Sequence, residues 1–549
     1  MVYLPIDTAQ LTLVNKLERT INLYTQFEEC YKCPFLPKPS QVKGGDTIIK
    51  KFHTYYTLQY QVTTYDNGDN MSRVLCSSTI NAQDQSSHLL QITESFKCVL
   101  ETLDSGRTNI WPLIIAIILL ILLAALFFGG KYFYRRWKDE TSINDELDNK
   151  ISQRLNSLDA FRGLTILLMI FVNWGAGEYR FLDHAEWDGL RFADFIFPAF
   201  IFIMGVTMAI SLKNLVIKKD VPLLKAYLQV ILRSIKLFLV GLVLNSRAGG
   251  GLKYLRIPGV LQRFAITYLI VGSVHILSLH LNKDELYSRI SYLNDIVPYW
   301  PDWILASIMI ILYFSLTFGW KFDSDCPRAY TGPGGMYDKQ SHPYCVGGAA
   351  NKIDKAIFGE NHIYQYFTAA NLYDPIIDDR RQFNLKHDPE GLLGVTNSII
   401  LAIIGLQMGK IILTYSSAKQ RFIRWAIWAL SLGVLTAILA GTGAVPINKN
   451  LWSFTFVCAT GTASIIIFAI FYLLIDLLKI WPLGKPFHYP GMNSILLYIG
   501  HDFTGGMLPF AFVADCDSHV WPLTQNIIGV LLWLLISVYL AKKNFFLTL

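Results

Sequence analysis

Charged residues are scarce in this chain: Asp, Glu, Lys and Arg make up 16% of 549 residues, against 52% hydrophobic, and the mean hydropathy is +0.36. That balance excludes both an ordinary soluble domain and a disordered chain. Further absences narrow the function. No zinc-binding spacing appears, the histidines not standing at ligand spacings, and "GPGG" (Gly332 to Gly335) lacks the strand and helix that a phosphate-binding loop requires, so no metal is expected. Basic residues are spread over several loops, so the formal charge of +7 does not point to nucleic acid. The opening "MVYLPIDTAQLTLVNKL" has no apolar core of a cleavable leader. Either the first span carries the preceding segment across, or the N-terminus is incomplete or processed, which is the reading preferred. No internal repeat of the kind common in transporters is visible.

What the chain does have is apolar runs of about 20 residues, about eleven of them. The clearest are "LIIAIILLILLAALFF" (Leu113 to Phe128) and "SIIIFAIFYLLIDLL" (Ser464 to Leu478); the others centre near residues 168, 203, 240, 270, 311, 403, 433, 502 and 534. Those near 240 and 502, interrupted by Arg233, Lys236, His501 and Asp502, are expected to be short or broken. The fold class is therefore a polytopic α-helical membrane protein of about eleven transmembrane helices. The basic run "KYFYRRWK" (Lys131 to Lys138) after the first span retains that side in the cytosol. The N-terminus then lies in the lumen. Alternation makes the loops Leu212 to Asp220 and Ala418 to Arg424 cytosolic, together with Lys542 and Lys543 at the C-terminus.

Cysteines agree with this orientation, because disulfides persist in oxidising compartments. Of the 8 cysteines, Cys30, Cys33, Cys76, Cys98, Cys326, Cys345 and Cys516 fall on the lumenal side and Cys458 within a span. Cys326 is predicted to pair with Cys345; the remaining connectivity is open. The sequon "NMS" places a glycosylation site at Asn70, also lumenal. Residues 1–108, with alternating runs such as "TYYTLQYQVTTY", read as a small β-rich, disulfide-bonded lumenal domain. A first transmembrane helix at 109–130 and a charged cytosolic linker at 131–157 follow. A ten-helix membrane domain fills 158–549, with a Gly-, Pro-, Tyr- and Asp-rich lumenal cap at 321–390.

Chemistry concentrates around the second span. Asp159 and Arg162 lie three apart, so an ion pair or a capping arrangement is available, while Arg162 can equally anchor helix depth or meet an anionic ligand. Asn173 follows eleven residues later on the same face, where an amide needs partners. His184 stands just outside the membrane among Asp183, Glu186 and Asp188, with Asp194 opening the third span. A histidine beside carboxylates can take a proton from an amine or be acylated itself. The plainer reading is a hydrogen-bonded structural histidine in a solvated acidic loop.

The run "LDAFRGLTILLMIFVNWGAGEYRFLDHAEWDGLRFADFIFPAFIFIMGVTMAISL", followed by "RIPGVLQRFAITYLI", resembles the lysosomal heparan-α-glucosaminide N-acetyltransferases. The likeness extends to "GPGG", to "HDPEGLLG" (His387 to Gly394) and to the span plan, covering nearly the whole chain; the missing leader is its one departure. The resemblance implies a lysosomal membrane acetyltransferase using cytosolic acetyl-CoA to acetylate the terminal glucosamine of heparan sulfate. It also implies His184 as the active-site histidine, with Asn173 its neighbour at the acetyl group, and it is compatible with a homodimer.

On that reading Arg162, Arg233 and Lys236, at the cytosolic mouth, are candidates for the acetyl-CoA phosphates; positive-inside anchoring is the alternative. Asp183, Asp188, Arg256 and Arg263 are candidates for the sugar substrate, the arginines suiting sulfate unless they serve helix capping around Pro258 and Gly259. Asp374, Asp379 and Glu390 in the cap are further candidates for sugar hydroxyls, or are solvated. Two routes stay open: an acetyl-histidine at His184, or direct transfer with His184 as general base and Asn173 at the oxyanion, the latter preferred. The rival class is a solute transporter without transferase chemistry.

Overall fold

The computed structural model describes residues 4–35, 40–65, 72–107, 110–138, 155–248, 251–281, 291–373, 375–376, 385–505, 507–508 and 518–547. The sequon at Asn70, the cap acids Asp374 and Asp379, Cys516 and most of the expected linker lie outside the described residues.

Among the described residues, the N-terminal segment forms eight strands: β1 (Thr8–Asn15), β2 (Ile21–Phe27), β3 (Ser40–Val42), β4 (Thr47–His53), β5 (Leu58–Tyr65), β6 (Ser72–Ile80), β7 (Ser87–Ile92) and β8 (Cys98–Asp104). They make two four-stranded sheets, ordered β4-β1-β7-β8 and β3-β2-β5-β6. Strict alternation drives the pairing: Ala9, Leu11 and Leu13 of β1 and Leu90 and Ile92 of β7 point inward, against Ile21, Leu23, Tyr60 and Val62 of the facing sheet. β1 and β7 run parallel, with Leu11 opposite His88. A disulfide from Cys76 in β6 to Cys98 in β8 ties one edge of each sheet together, and Cys30–Cys33 closes a short turn. Cys326 pairs with Cys345, as the sequence predicts, and Cys458 is free and buried.

Among the described residues, twelve main helices follow: α1 (Trp111–Lys138), α2 (Asn156–Asn173), α3 (Ile196–Lys213), α4 (Leu223–Asn245), α5 (Val260–Leu281), α6 (Trp300–Phe314), α7 (Gly348–Phe358), α8 (Leu392–Thr414), α9 (Ala418–Gly441), α10 (Phe454–Phe471), α11 (Ser494–Phe503) and α12 (Val520–Lys542). Every expected span centre falls in one of them. Among the described residues, 8 helices are long and apolar enough to cross a membrane; α1 contributes a shorter apolar stretch, Trp111–Leu126, and α11 is ten residues long. The run near 240 is an unbroken 23-residue helix, because Arg233 and Lys236 lie on an exposed face and leave the backbone ladder intact. The run near 502 is short, as expected, and the separate turn His488–Met492 precedes it.

Helix α8 is the hub: 94% of its most apolar stretch is buried, against 22% for α4 and 17% for α9, which turn Leu and Ile side chains outward. Outward apolar faces on peripheral helices are what lipid contact requires. At the α3–α8 crossing, Gly205 and Gly405 each face the partner's backbone so closely that a Cβ would strike a carbonyl oxygen, Ala402 O and Phe202 O respectively. The sandwich docks on the cap between α6 and α8: Phe52 pairs with Ile376, whose side chain enters the sandwich core, and the amides of Asp338 and Lys339 donate to Tyr31 O and Lys32 O (3.0 and 2.8 Å).

Candidate active site

Helix α2 ends at Asn173, and Gly175 (φ 101°) and Gly177 (φ 71°) turn the chain into the loop carrying His184. Their positive φ suits residues without a Cβ. His184 Nδ1 lies 2.7 Å from Asp194 Oδ1. Asp194 sits in the turn that opens α3; its Oδ2 accepts from the amides of Ala185 (3.2 Å) and Arg191 (2.9 Å). The carboxylate is thus fixed from three sides. Asp183 Oδ1 accepts from the His184 amide (2.7 Å), and Arg191 Nη1 donates to His184 O (3.0 Å) while its Nη2 reaches Tyr56 Oη of the sandwich (3.2 Å). The imidazole is 40% exposed, and Nε2 has no bonded partner among the described residues.

A second loop, between α9 and α10, clasps this one. Asn448 Nδ2 donates to Asp188 Oδ1 (3.0 Å), Gly189 N to Ile447 O (2.8 Å) and Asn450 Nδ2 to Glu186 O (2.8 Å). Asp188 is therefore occupied in holding the loop. Asn450 O in turn meets His387 Nε2 at 3.0 Å, and burial holds the His387 imidazole below the ordinary histidine range.

Asn173 does not pair with His184. Its Nδ2 lies 3.0 Å from Nε2 of His501 on α11, whose Nδ1 lies 3.0 Å from Leu497 O. Since Nδ1 facing a carbonyl must carry the proton, Nε2 is the acceptor for the Asn173 amide. One turn back along α2 from this pair begins a cavity of about 340 Å³. Arg162, Ile166 and Met169 line it from α2, at the spacing that continues to Asn173, and Tyr498 lines it from α11 three residues before His501. Opposite stand Thr207 and Ser211 of α3, Arg233 of α4 and Tyr268 of α5.

Of the cytosolic cations expected at a nucleotide, Arg162 and Arg233 line the cavity and Lys236 does not; Lys236 is exposed on α4. Arg162 forms the available ion pair with Asp159 (3.1 Å) and donates to Thr207 Oγ1 (2.8 Å). The Arg233 guanidinium stands 4.9 Å from the Tyr268 ring centre. At the other end of the helices, Arg256 grips Asp388 through Nε (2.9 Å) and Nη2 (2.6 Å) and also pairs with Glu390. Burial would raise the Glu390 carboxyl, but Arg256 and Arg263 outweigh it and hold it below the ordinary range. Arg263, fully buried, donates to Pro389 O (3.1 Å) and Gly391 O (3.0 Å) over the Trp452 ring. Both arginines thus brace the "HDPEG" turn at the start of α8.

Sequence reasoning noticed Asp194 and His501 only as polar interruptions of spans; the paired spacing of His184 and Asp194 across the head of α3 was the available signal for the first. The Asn448–Asn450 clasp carries no local signal, since about 260 residues separate it from its partners.

The family model for the catalytic part of heparan-alpha-glucosaminide N-acetyltransferase matches residues 154–283, which hold Arg162, Asn173, His184, Asp194, Arg256 and Arg263. The chain is 32% identical over 600 aligned positions to the Mus musculus protein named heparan-alpha-glucosaminide N-acetyltransferase, covering 99% of this chain and 89% of that one. It is 38% identical over 405 positions to the Homo sapiens protein of the same name, covering 72% of this chain and 59% of the other. With a histidine–carboxylate pair in the loop between α2 and α3, an arginine-bearing cavity walled by α2 and a likeness running the length of the chain, this protein belongs to the heparan-alpha-glucosaminide N-acetyltransferase family of membrane acetyltransferases.

Proposed function

We propose that this enzyme moves an acetyl group from cytosolic acetyl-CoA to the terminal glucosamine amine of heparan sulfate in the lysosomal lumen, with its N-terminus lumenal and its C-terminus cytosolic. The observation that carries the reading is the row Arg162, Ile166 and Met169 along α2, which walls a cavity and is continued on the same helix face by Asn173, the last residue before the turn toward the His184 loop. Eleven residues of helix rise about 16 Å, more than half of a hydrocarbon core about 30 Å thick. A pantetheine arm has that reach. Arg162 and Arg233 then receive phosphate oxygens at the cytosolic end, where guanidinium geometry suits them.

In the reaction the sugar amine attacks the thioester carbonyl, a C–N bond forms and the C–S bond breaks. His184 takes the amine proton on Nε2, and the thiolate of CoA leaves and is protonated. Asp194 positions the ring and stabilises it once charged. The Asn173 amide, held by His501, is the candidate donor to the developing oxyanion. Asp183, beside the His184 amide, is the carboxylate available to the incoming amine, whereas Asp188, Arg256 and Arg263 act through the scaffold.

The test is acetylation of a fluorogenic α-glucosaminide by detergent-solubilised protein, beside His184→Ala and Asn173→Ala. A pure transporter would acetylate nothing. Labelled acetyl retained on His184 after incubation with acetyl-CoA alone would replace direct transfer by the stepwise route.

A further inference from the structure

We propose that Lys449 recognises an acidic substituent, sulfate or carboxylate, on the sugar chain attached to the reacting glucosamine. The proposal rests on the acetyltransferase reading above.

Lys449 is the middle residue of the clasp. Asn448 on one side holds Asp188, Asn450 on the other holds Glu186 O and is itself braced by His387, and Lys449 O accepts from Trp452 N at 3.0 Å. Its backbone is therefore pinned to the loop that presents His184. The charges that act on its ammonium are Glu390, Asp194 and Asp183, which attract it, and Arg263, which repels it; Asp183 and Asp194 bond directly to His184. Lys449 thus shares the electrostatic surroundings of His184.

The cations nearby differ in what they hold. Arg180 is paired with Glu186, Arg191 with His184 O and Tyr56, Arg256 with Asp388 and Glu390, and Arg263 with the carbonyls of Pro389 and Gly391. Lys449 closes no ion pair with a described carboxylate, yet burial holds its ammonium below the ordinary lysine range, with Glu390 and Asp194 pulling the other way. It remains partly exposed, so a ligand can reach it. A largely buried ammonium without a close counter-ion among the described residues gains from an incoming anion more than a solvated surface lysine does. Its charge is a point charge on a flexible stem, which accepts sulfate or carboxylate in varied orientations. Heparan sulfate is dense in such groups next to its terminal amine.

The experiment compares kcat/KM on three acceptors: a neutral fluorogenic α-glucosaminide, a glucosamine-terminated disaccharide carrying a carboxylate, and its sulfated counterpart. The proteins are wild type, Lys449→Gln and Lys449→Arg, each checked by thermal unfolding in detergent. K449Q is expected to lose at least about tenfold more on the acidic acceptors than on the neutral one, through KM, and to flatten the salt dependence. K449R should recover part of that preference. Which acidic acceptor suffers most identifies the group recognised. Equal losses on all three acceptors, or wild-type behaviour of K449Q on all three, would overturn the proposal. Failure of the wild type to acetylate even the neutral acceptor would instead overturn the enzymatic reading beneath it.

Discussion

His184 Nδ1 and Asp194 Oδ1 stand 2.7 Å apart in opposite environments: the imidazole is 40% exposed and the carboxylate side chain 0%. A buried acceptor facing Nδ1 fixes the neutral ring with its proton there and leaves the lone pair on Nε2. The acidic residue sits in the turn that opens α3, so the ring's orientation depends on the head of that helix staying docked.

Asp194→Asn keeps the shape and one acceptor oxygen but removes the charge. The turnover number is expected to fall about 10²–10⁴-fold with little change in KM for either substrate. Steady-state kinetics on protein with an unchanged unfolding temperature decides it; a turnover number within twofold of wild type would reduce the pair to a structural contact.

Arg233 lines the cavity and leans on Tyr268 without an ion pair among the described residues. Arg233→Gln is expected to raise KM for acetyl-CoA about ten- to a hundredfold, the value of one charge-assisted hydrogen bond. The effect should be much smaller with a short thioester lacking the nucleotide. Equal effects on both donors would place the phosphates elsewhere.

Asp354 on α7 accepts from Leu392 N at the start of α8 (2.8 Å), and burial pushes its carboxyl up to about 7. At the sandwich, burial likewise raises Asp7 to about 6. A carboxyl whose folded value exceeds its unfolded one binds its proton more tightly when folded, so stability falls as pH rises from about 4 through 7. Thermal unfolding in detergent should therefore occur at a higher temperature near about pH 5 than near about pH 7.5. Asp354→Asn retains the acceptor for Leu392 and should narrow that difference. A variant with the wild-type pH profile would show that Asp354 does not set it.

Arg256 holds two buried carboxylates, Asp388 and Glu390, at the turn into the central helix. Arg256→Met leaves both uncompensated and is expected to cost about 3–5 kcal/mol. The measurement is yield and unfolding temperature of the solubilised variant. A variant as stable as wild type would free Arg256 for the substrate role that the sequence suggested.

Hydropathy located the 8 described helices that are long and apolar enough to cross a membrane, because period and run length are local properties that one stretch of chain carries alone. The same holds for the sandwich, whose inward residues alternate in "TAQLTLVN" and "SHLLQI". The site was less legible. His184 and Asn173 stood out as polar residues at membrane edges, but Asn173 meets His501, about 330 residues away, and the clasp on the His184 loop comes from Asn448 and Asn450. Arg256 and Arg263 looked like sulfate ligands because an isolated arginine in sequence shows no partner; in the fold their acceptors come from the "HDPEG" turn about 130 residues later.

The sequence by itself determined the membrane class, the strand-rich lumenal domain, the pairing of Cys326 with Cys345 and the family to which the motifs belong. Only the tertiary structure decided which polar side chains are spent on one another and which still face the cavity or the lumen. The reason is physical: apolar runs seek a low-dielectric environment whatever their neighbours, whereas a buried charge or amide is defined by the partner that offsets its desolvation, and here those partners lie on other helices.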